Sequence, residues 1–245
     1  MIWVLVALLL LVVVLTMTGV ARNQVKRSAS QVGIEDEEVI KSYDRISRWP
    51  QFRLLRKLVI LEIKKFKPSG LLADLGCGPA YLLSEIAWSI PQLSLIGLDI
   101  SQSILDAARQ NLIHDGLSER VVFRQGDIEA LPFGEDSLDF VVSTLSLHHW
   151  LNPDKAVEEI YRVLKRGGQF LIFDTRRDAW WAVYWLIRFA QTFIVPEALR
   201  RAREPESSFK ASYTFNEAKA LLSNSSFKHC QVKTGPGWLF LSGVK

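Results

Sequence analysis

Cysteine is scarce in this chain of 245 residues, which contains only Cys77 and Cys230, far apart in the sequence. Their spacing matches neither a metal-binding pattern nor the disulfide framework of a small secreted domain. We therefore expect a reducing compartment, ordinary packing roles for both thiols, and no metal site. The chain is long enough for one α/β domain and a short appendage, and it leaves no room for a second large domain.

Charge is missing from the N-terminus, where residues 2–20 are nineteen consecutive uncharged and mostly apolar residues. At about 1.5 Å of helical rise per residue, this run nearly matches a hydrocarbon core of about 30 Å. The first charges after it are Arg22, Lys26 and Arg27, and positive flanks favour the cytoplasmic side. We predict a transmembrane anchor at 1–21, a tether at 22–34, and a single-pass membrane protein whose catalytic domain is cytoplasmic.

A cleaved signal peptide is the alternative for this run, because the small residues Gly19 and Ala21 could form a cleavage site. A signal peptide usually has a basic start and a shorter apolar core, and this run has neither. The comparison favours an uncleaved anchor.

Acidic residues are scarce between Lys41 and Lys67, a stretch with nine Lys and Arg against only Asp44 and Glu62. Such a stretch attracts nucleic acid or anionic lipid, or it is a solvated helix face without a partner. It follows an apolar N-terminus, which favours a membrane surface over nucleic acid.

From residue 35 onward, helical and strand-like segments alternate, which predicts βαβ units. Buried strands are predicted at 71–75, 93–99, 121–123, 138–144 and 169–173, with helices between them. The pair Gly167-Gly168 is expected to end the helix that Asn152-Pro153 begins. One long helical segment is predicted from Ala179 to about Arg203, then a helix with a capping box at Thr214 and two final strands. The fold class is α/β, a doubly wound, mostly parallel seven-stranded Rossmann-like sheet.

A glycine turn, Asp74-Leu75-Gly76-Cys77-Gly78-Pro79, follows the first predicted strand. Ligands of open α/β sheets bind at the carboxyl ends of the strands, and glycines let a ligand approach the backbone. A dinucleotide site would need a third glycine and free N–H groups for a pyrophosphate. Tyr81 occupies the third position and Pro79 lacks an N–H, so the turn favours a nucleoside ligand without a pyrophosphate.

Two further carboxylates follow the next strands in order. Asp99 can accept hydrogen bonds from ribose hydroxyls, and Asp127, beside the apolar Ile128, can accept from an adenine amine. Each residue alone has an ordinary structural interpretation, as a helix-start or loop acid. Their order on one sheet makes a nucleoside site the stronger hypothesis.

Five motifs together resemble the class I S-adenosylmethionine-dependent methyltransferases, in the family's order and spacing over about residues 35 to 175. They are Asp74-Leu75-Gly76-Cys77-Gly78, Leu98-Asp99, Gly126-Asp127-Ile128 with Leu131-Pro132-Phe133, Asp139-Phe140-Val141-Val142-Ser143, and Leu164-Lys165-Arg166-Gly167-Gly168. Within that superfamily the chain is most similar to the small-molecule branch of quinone-biosynthesis (UbiE-like) methyltransferases. One departure is Ala80, where many relatives have glycine.

The resemblance implies S-adenosyl-L-methionine as the cofactor and assigns residues to each of its parts. Asp74, Gly76 and Gly78 would hold the methionine moiety. Asp99 would hold the ribose, and the adenine would be flanked by Ile100, Asp127 and Ile128. Ser143 would lie near the methionine end, and Tyr43 would belong to a helix that closes over the cofactor.

A histidine pair, His148-His149, follows the fourth strand, at the rim where the methyl acceptor should lie. Methyl transfer mainly needs alignment of the acceptor, and a hydroxyl, phenol or activated carbon also needs a general base, for which histidine is suited. His148 is our first candidate and His149 our second. Such pairs are frequent in this branch whatever the substrate, so one of them could simply bind the backbone.

The segment from Ala179 to Ile187 has four aromatic rings in six positions, with Arg188, Arg200, Arg201 and Arg203 after it. It suits a helix at a lipid interface or over a lipophilic pocket; packing in the core is the simpler explanation. We assign 35–245 to a methyltransferase domain with an acceptor-side helical insertion at 176–212. The predicted acceptor is small and lipophilic, and membrane contact is expected through the N-terminal helix and possibly residues 179–203.

Two other functions stay open from the sequence. The domain could methylate a protein or RNA through its basic stretch, or it could be a non-catalytic membrane scaffold that retains the nucleoside pocket.

Overall fold

A computed structural model of the chain describes residues 26–27 and 36–245. The predicted anchor at 1–21 lies outside these residues, as does the predicted tether at 22–34 apart from Lys26 and Arg27. Within the described part of the chain, no helix is both long enough and apolar enough to cross a bilayer.

The described elements follow one another as helices α1 (Glu37–Ser47) and α2 (Pro50–Lys65), then strand β1 (Leu71–Leu75), α3 (Tyr81–Ser89), β2 (Ser94–Asp99), α4 (Gln102–His114), β3 (Val121–Gln125), β4 (Leu138–Thr144), α5 (Pro153–Val163) and β5 (Leu164–Thr175). The remainder comprises α6 (Trp181–Phe193), α7 (Glu197–Arg201), α8 (Glu206–Ala211), α9 (Phe215–Ser223), β6 (His229–Thr234) and β7 (Trp238–Val244). Short 3₁₀ turns lie at Ser118–Arg120 and Leu147–His149.

The strands form a seven-stranded sheet in the order β3-β2-β1-β4-β5-β7-β6. The first five are parallel, whereas β7 is antiparallel to both β5 and β6. Chain order reverses between β1 and β4, so this is the switch point at which a ligand is expected. The predicted doubly wound, mostly parallel sheet is confirmed.

Apolar side chains alternate between the two faces of the sheet, as the pleat requires. In β5, Phe170 and Ile172 belong to the core beneath α5 and α9, whereas Leu171 and Phe173 belong to the core beneath α2, α3 and α4. Helices therefore cover both faces, which explains the mostly apolar and buried side chains of the central strands β1, β2 and β4.

Two predicted boundaries were wrong. Helix α5 ends at Val163, and Gly167-Gly168 lies inside β5, where the register against β4 shifts between Leu138 and Phe140. Gly167 has a φ of +79°, so the glycine serves an irregular strand and not a helix end. The predicted single helix from 179 to 203 is broken between Phe193 and Glu197, because Pro196 cannot continue it.

The capping box predicted at Thr214 is present, since its hydroxyl accepts from the Glu217 N–H at 3.2 Å and the Glu217 carboxylate accepts from the Thr214 N–H at 2.9 Å. The Glu217 carboxylate also receives the Arg177 guanidinium in a two-pronged ion pair. Arg177 in turn donates to the Ser212 carbonyl at 2.7 Å. Buried Arg177 therefore joins the beginning and the end of the 176–212 insertion.

Candidate active site

The glycine turn connects β1 to α3 at the switch point. Gly76 and Gly78 have φ angles of +72° and +53°, which favour glycine. The N–H groups of Gly76 and Cys77 both donate to the Leu98 carbonyl, at 2.8 and 2.9 Å. A Cβ atom at Gly76 would collide with the Ser146 hydroxyl. Both this collision and the positive φ disfavour a side chain at position 76.

Ala80, the departure from the family's glycine, has a φ of +64° and is buried. It is the residue before α3 and takes the left-handed conformation. This backbone conformation favours glycine, and alanine adopts it at some conformational cost.

Asp99 joins the end of β2 to the turn. One carboxylate oxygen accepts from the Gly78 N–H at 3.0 Å and the other accepts from the Ser101 N–H at 3.1 Å. Burial raises the pKa of Asp99, against the lowering effect of these backbone hydrogen bonds. The Asp99 carboxylate thus holds the glycine turn in place and lies beside it. This is the carboxylate that the sequence predicts to bind the ribose.

Asp74 is a buried carboxylate without a hydrogen bond. Its side chain is 1% exposed, and neither oxygen accepts a hydrogen bond from any described residue. Burial and the neighbouring negative charge of Asp99 raise the pKa of Asp74 to about 8. A buried acid of this kind is stabilised by a cationic ligand, so the residues present fit a cofactor that carries a sulfonium and an ammonium group.

Helix α1 covers the turn from the other side. Tyr43 and Ser47 of α1 and Phe52 and Leu55 of α2 line a cavity together with residues 76–79, Thr144 and Leu145. Burial, and then the charge of Asp99, raise the pKa of Tyr43 to about 12, so its hydroxyl stays neutral. The Tyr43 ring lies beside Gly78, so α1 meets the glycine turn; the role of Tyr43 in closing over the cofactor stays a prediction.

A polar cluster holds α1 in this position. The Asp44 carboxylate accepts from the Tyr81 hydroxyl at 2.7 Å and from the Asn111 amide at 2.8 Å. Asn111 also donates to the Pro79 carbonyl at 3.1 Å, so one cluster joins α1, the turn and α4. The sequence analysis missed this role of Asp44 and Tyr81, because the three segments meet only in the folded chain.

The residues predicted to flank the adenine lie at the ends of β2 and β3. Ile100 is 68% exposed, and its carbonyl accepts from the Gln125 amide at 3.0 Å. Asp127 is exposed and accepts from the Glu129 N–H at 2.9 Å, while Ile128 packs partly against the core. An exposed apolar side chain and an exposed acid at one sheet end are compatible with an adenine.

Ser143 is fully buried and donates to the Leu75 carbonyl at 2.7 Å. Its hydroxyl therefore joins β4 to the end of β1. It lies beside the predicted methionine end, and its described hydrogen bond is to the backbone.

His148 and Asp174 form a buried pair on the acceptor side. The Nδ1 atom of His148 lies 2.8 and 2.9 Å from the two carboxylate oxygens of Asp174, and the His148 N–H donates to the same carboxylate at 2.9 Å. Their side chains are 4% and 1% exposed. Burial lowers the pKa of His148, but the charge and hydrogen bond of Asp174 outweigh it, and the pKa is raised.

The neighbouring His149 has a different environment. Its ring centroid lies 4.0 Å from that of His148. Burial, and then the charge of His148, lower the pKa of His149 to about 3, so this ring is neutral at physiological pH. The two predicted candidates are therefore chemically distinct.

The sequence analysis missed Asp174, although a signal was present. Asp174 ends the buried strand β5 as Asp99 ends β2, and an acid at that edge marks the site in both cases. The negative charge of Glu204, which was not predicted either, contributes to raising the pKa of both Tyr43 and His148.

Helix α8 packs against the Leu147–His149 turn and forms the outer wall of the acceptor side. The hydroxyls of Thr175 and Ser212 also contact each other there. Among residues 26–27 and 36–245, no three His, Cys, Asp or Glu side chains are grouped as metal ligands.

Comparison with known proteins identifies the domain. Residues 73–172 match the family described as "Methyltransferase domain". Demethylmenaquinone methyltransferase of Porphyromonas gingivalis is 32% identical over 139 residues, which are 55% of this chain and 56% of that protein. The ubiquinone/menaquinone biosynthesis C-methyltransferase of Hydrogenovibrio crunogenus is 30% identical over 141 residues, or 56% of each chain. Residues 73–172 thus match a methyltransferase domain, and the chain is similar to S-adenosylmethionine-dependent methyltransferases of the UbiE-like type.

Solved structures show the same fold. The chain superimposes on an S-adenosylmethionine-dependent methyltransferase of Aquifex aeolicus with a TM-score of 0.61 at 17% identity, covering 85% of this chain and 97% of the other. The YcgJ protein of Bacillus subtilis has a TM-score of 0.54 at 28% identity, with 71% and 69% covered. The chain spans about half the length of most curated relatives it matches. The family's cofactor is S-adenosyl-L-methionine, as predicted.

Proposed function

We propose that the chain is an S-adenosylmethionine-dependent methyltransferase that acts on a small, lipophilic acceptor at a membrane. The observation that carries the proposal is the unpartnered buried carboxylate of Asp74 beside the Asp99-bound glycine turn, with the His148–Asp174 pair on the acceptor side. One edge of the sheet thus holds a place for a cationic nucleoside and a base for its acceptor.

The cofactor-holding residues in this proposal are the predicted ones. Asp74 and the backbone of Gly76 and Gly78 hold the methionine moiety, with Ser143 near it. Asp99 binds the ribose, and the adenine lies against Ile100, Asp127 and Ile128. Tyr43 closes the site from α1. When bound, the cofactor supplies a methyl group that is electrophilic because the sulfur is positively charged.

The base in this proposal is His148. Because Nδ1 is held by Asp174, the Nε2 atom is left to accept a proton from the acceptor, and the carboxylate stabilises the imidazolium that forms. His149, being neutral, contributes shape and polarity and does not store the proton. The insertion at 176–212 excludes water through α8, which covers the histidine turn.

The proposed acceptor class is a quinone precursor, an isoprenoid or a lipid headgroup. Relatives named for demethylmenaquinone and ubiquinone/menaquinone methylation support the first of these. The apolar run at 2–20 supports membrane action, with the catalytic domain cytoplasmic.

The rival proposal of RNA or protein methylation gains no support from the basic stretch at 41–67. Several of its cations are paired with carboxylates, in the pairs Lys41–Glu37, Arg48–Asp44, Arg56–Glu85 and Lys65–Glu62. Paired cations attract phosphate less strongly, which favours a small acceptor.

A single-turnover assay tests the proposal. The full chain in detergent is mixed with methyl-labelled cofactor and a membrane lipid extract, and Asp99→Ala serves as the inactive control. Label in the extractable lipid fraction is the expected result. Label in macromolecule supports RNA or protein methylation, and no transferred label supports a non-catalytic scaffold; either result contradicts the proposal.

A further inference from the structure

Helix α6 presents a row of exposed aromatic side chains. Trp181, Trp185, Phe189 and Phe193 recur every fourth residue and so lie along one side of the helix. They are 41%, 56%, 54% and 72% exposed, and the adjacent Leu186 is 67% exposed. We call these four residues the aromatic stripe. Soluble domains rarely expose so large a contiguous apolar surface without a partner.

The opposite side of α6 is attached to the domain. The Tyr184 ring lies 5.7 Å from the Phe209 ring of α8, and the Tyr184 hydroxyl donates to the Glu206 carboxylate at 3.3 Å. Because α8 covers the Leu147–His149 turn, only one helix separates α6 from His148. The stripe therefore faces outward on the acceptor side of the site.

Arginine residues border the stripe. The Arg188 guanidinium lies 5.6 Å from the Trp185 ring centroid and 5.9 Å from that of Tyr184. Arg200 donates to the Thr192 carbonyl at 3.3 Å, which places a second exposed cation beside the end of α6. Aromatic rings bordered by arginines are the composition of helices that lie in the interface of anionic membranes.

The N-terminal segment joins the domain on the same side. Arg27 donates to the carbonyl of Ala211, the last residue of α8, at 3.0 Å, and its guanidinium lies 4.6 Å from the Tyr213 ring centroid. Seven residue steps separate Arg27 from Val20, which is at most about 25 Å of chain. At most this length of chain separates the end of the uncharged run at 2–20 from Arg27, which contacts the end of α8.

We infer that the aromatic stripe of α6 docks on the surface of a bilayer that contains anionic lipid. The inference rests on the membrane action in the proposed function and names the surface that makes the contact. Docking by this face brings the acceptor side of the site to the bilayer, with α8 between the lipid and His148. It also places the stripe and the apolar run in the same membrane.

Brominated lipids test the inference, because they quench tryptophans only on contact. The full chain is reconstituted in vesicles of phosphatidylcholine and phosphatidylglycerol, with and without brominated acyl chains. The double variant Trp181→Phe/Trp185→Phe keeps the stripe apolar and removes the two tryptophans whose fluorescence reports contact with lipid. Trp88→Phe is the matched control, since Trp88 is 69% exposed on α3. All proteins keep the 2–20 run, so vesicle association is held constant.

The quenched part of the emission should fall by about half or more in the double variant, because interfacial tryptophans contact acyl chains. It should be unchanged in Trp88→Phe. Equal quenching in the double variant and the parent chain would overturn the inference. If both tryptophans are unquenched and the protein is a dimer, the stripe contacts a second copy of the chain. If both are unquenched and the protein is a monomer, the stripe contacts the 2–20 run. Either outcome also overturns the inference. Methyl transfer measured on the same vesicles separates failure of docking from failure of the proposed function.

Discussion

The Asp174 carboxylate binds both the Nδ1 atom of His148, at 2.8 Å, and the backbone N–H of the same residue, at 2.9 Å. This double attachment fixes the imidazole in orientation as well as in position. The end of β5 thereby orients His148, the residue that we propose as the base.

Replacing His148 by glutamine should lower kcat for methyl transfer by about 10²- to 10⁴-fold, the usual contribution of a general base. Cofactor affinity should change little, since His148 lies on the acceptor side. His149→Gln is the matched control and should lose much less. Single-turnover rates and calorimetry distinguish the two, and equal losses in both variants would show that neither ring has a special role.

Replacing Asp174 by asparagine should shift the pH profile of kcat towards acid and lower its maximum. Burial lowers the pKa of His148 and Asp174 is the strongest influence that raises it, so replacing the carboxylate leaves burial opposed only by the weaker effect of the Glu204 charge. The limb that reports deprotonation of His148 should therefore appear at lower pH. The Asp174→Asn change also removes the stability that Asp174 gives to protonated His148. This stability is fully present below the ordinary pKa of histidine and is lost as pH rises through the raised pKa of His148. A lower rate with an unmoved profile would indicate only a structural role for Asp174.

Cofactor binding should release protons from Asp74. Its pKa of about 8 in the free protein means that it is largely protonated at neutral pH, and a cationic ligand favours the ionised form. Affinity should therefore rise with pH and level off above about pH 8. Calorimetry in two buffers of different ionisation enthalpy measures the number of protons released on binding. At pH 7 the parent chain should release up to about one proton more than the Asp74→Asn variant. Identical buffer dependence in both proteins would contradict the role of Asp74.

Replacing Gly76 by alanine should destabilise the fold more than replacing Gly116 by alanine. Both glycines have positive φ, at +72° and +69°, so both variants lose about 1 kcal/mol to backbone strain. Only Gly76 faces a neighbour, the Ser146 hydroxyl, whereas a Cβ at Gly116 meets open space. The collision should add about 1–3 kcal/mol. Urea unfolding of the two variants measures the difference, and equal destabilisation would show that the turn relaxes freely.

The sequence predicted those parts of the fold and site in which local pattern and tertiary position agree. Strand β4 was predicted with its observed bounds, Leu138–Thr144, because a fully buried strand is one apolar run. The capping box at Thr214 was also predicted, and it is present. Asp74 and Asp99 lie near each other at the turn, because parallel strands end at one edge.

The remainder depended on contacts between distant segments. Gly167 and Gly168 have the composition of a helix end, yet pairing with β4 makes them part of a strand. Asp44 has no local motif, and the only local signal for Asp174 is its position near the end of a buried strand. The contacts of both residues form only when α1 meets Tyr81 and β5 meets the histidine turn. The roles of the cofactor residues and of the anchor stay predictions.

Calorimetric titration of the full chain in detergent with S-adenosyl-L-methionine tests the central claim most directly. The parent chain and Asp106→Ala, which removes an exposed acid on α4, should bind one cofactor with similar affinity. Asp99→Ala should lose measurable binding, with its folded state checked by thermal unfolding. Unchanged binding in a folded Asp99→Ala protein, or no binding by the parent chain, would contradict the account.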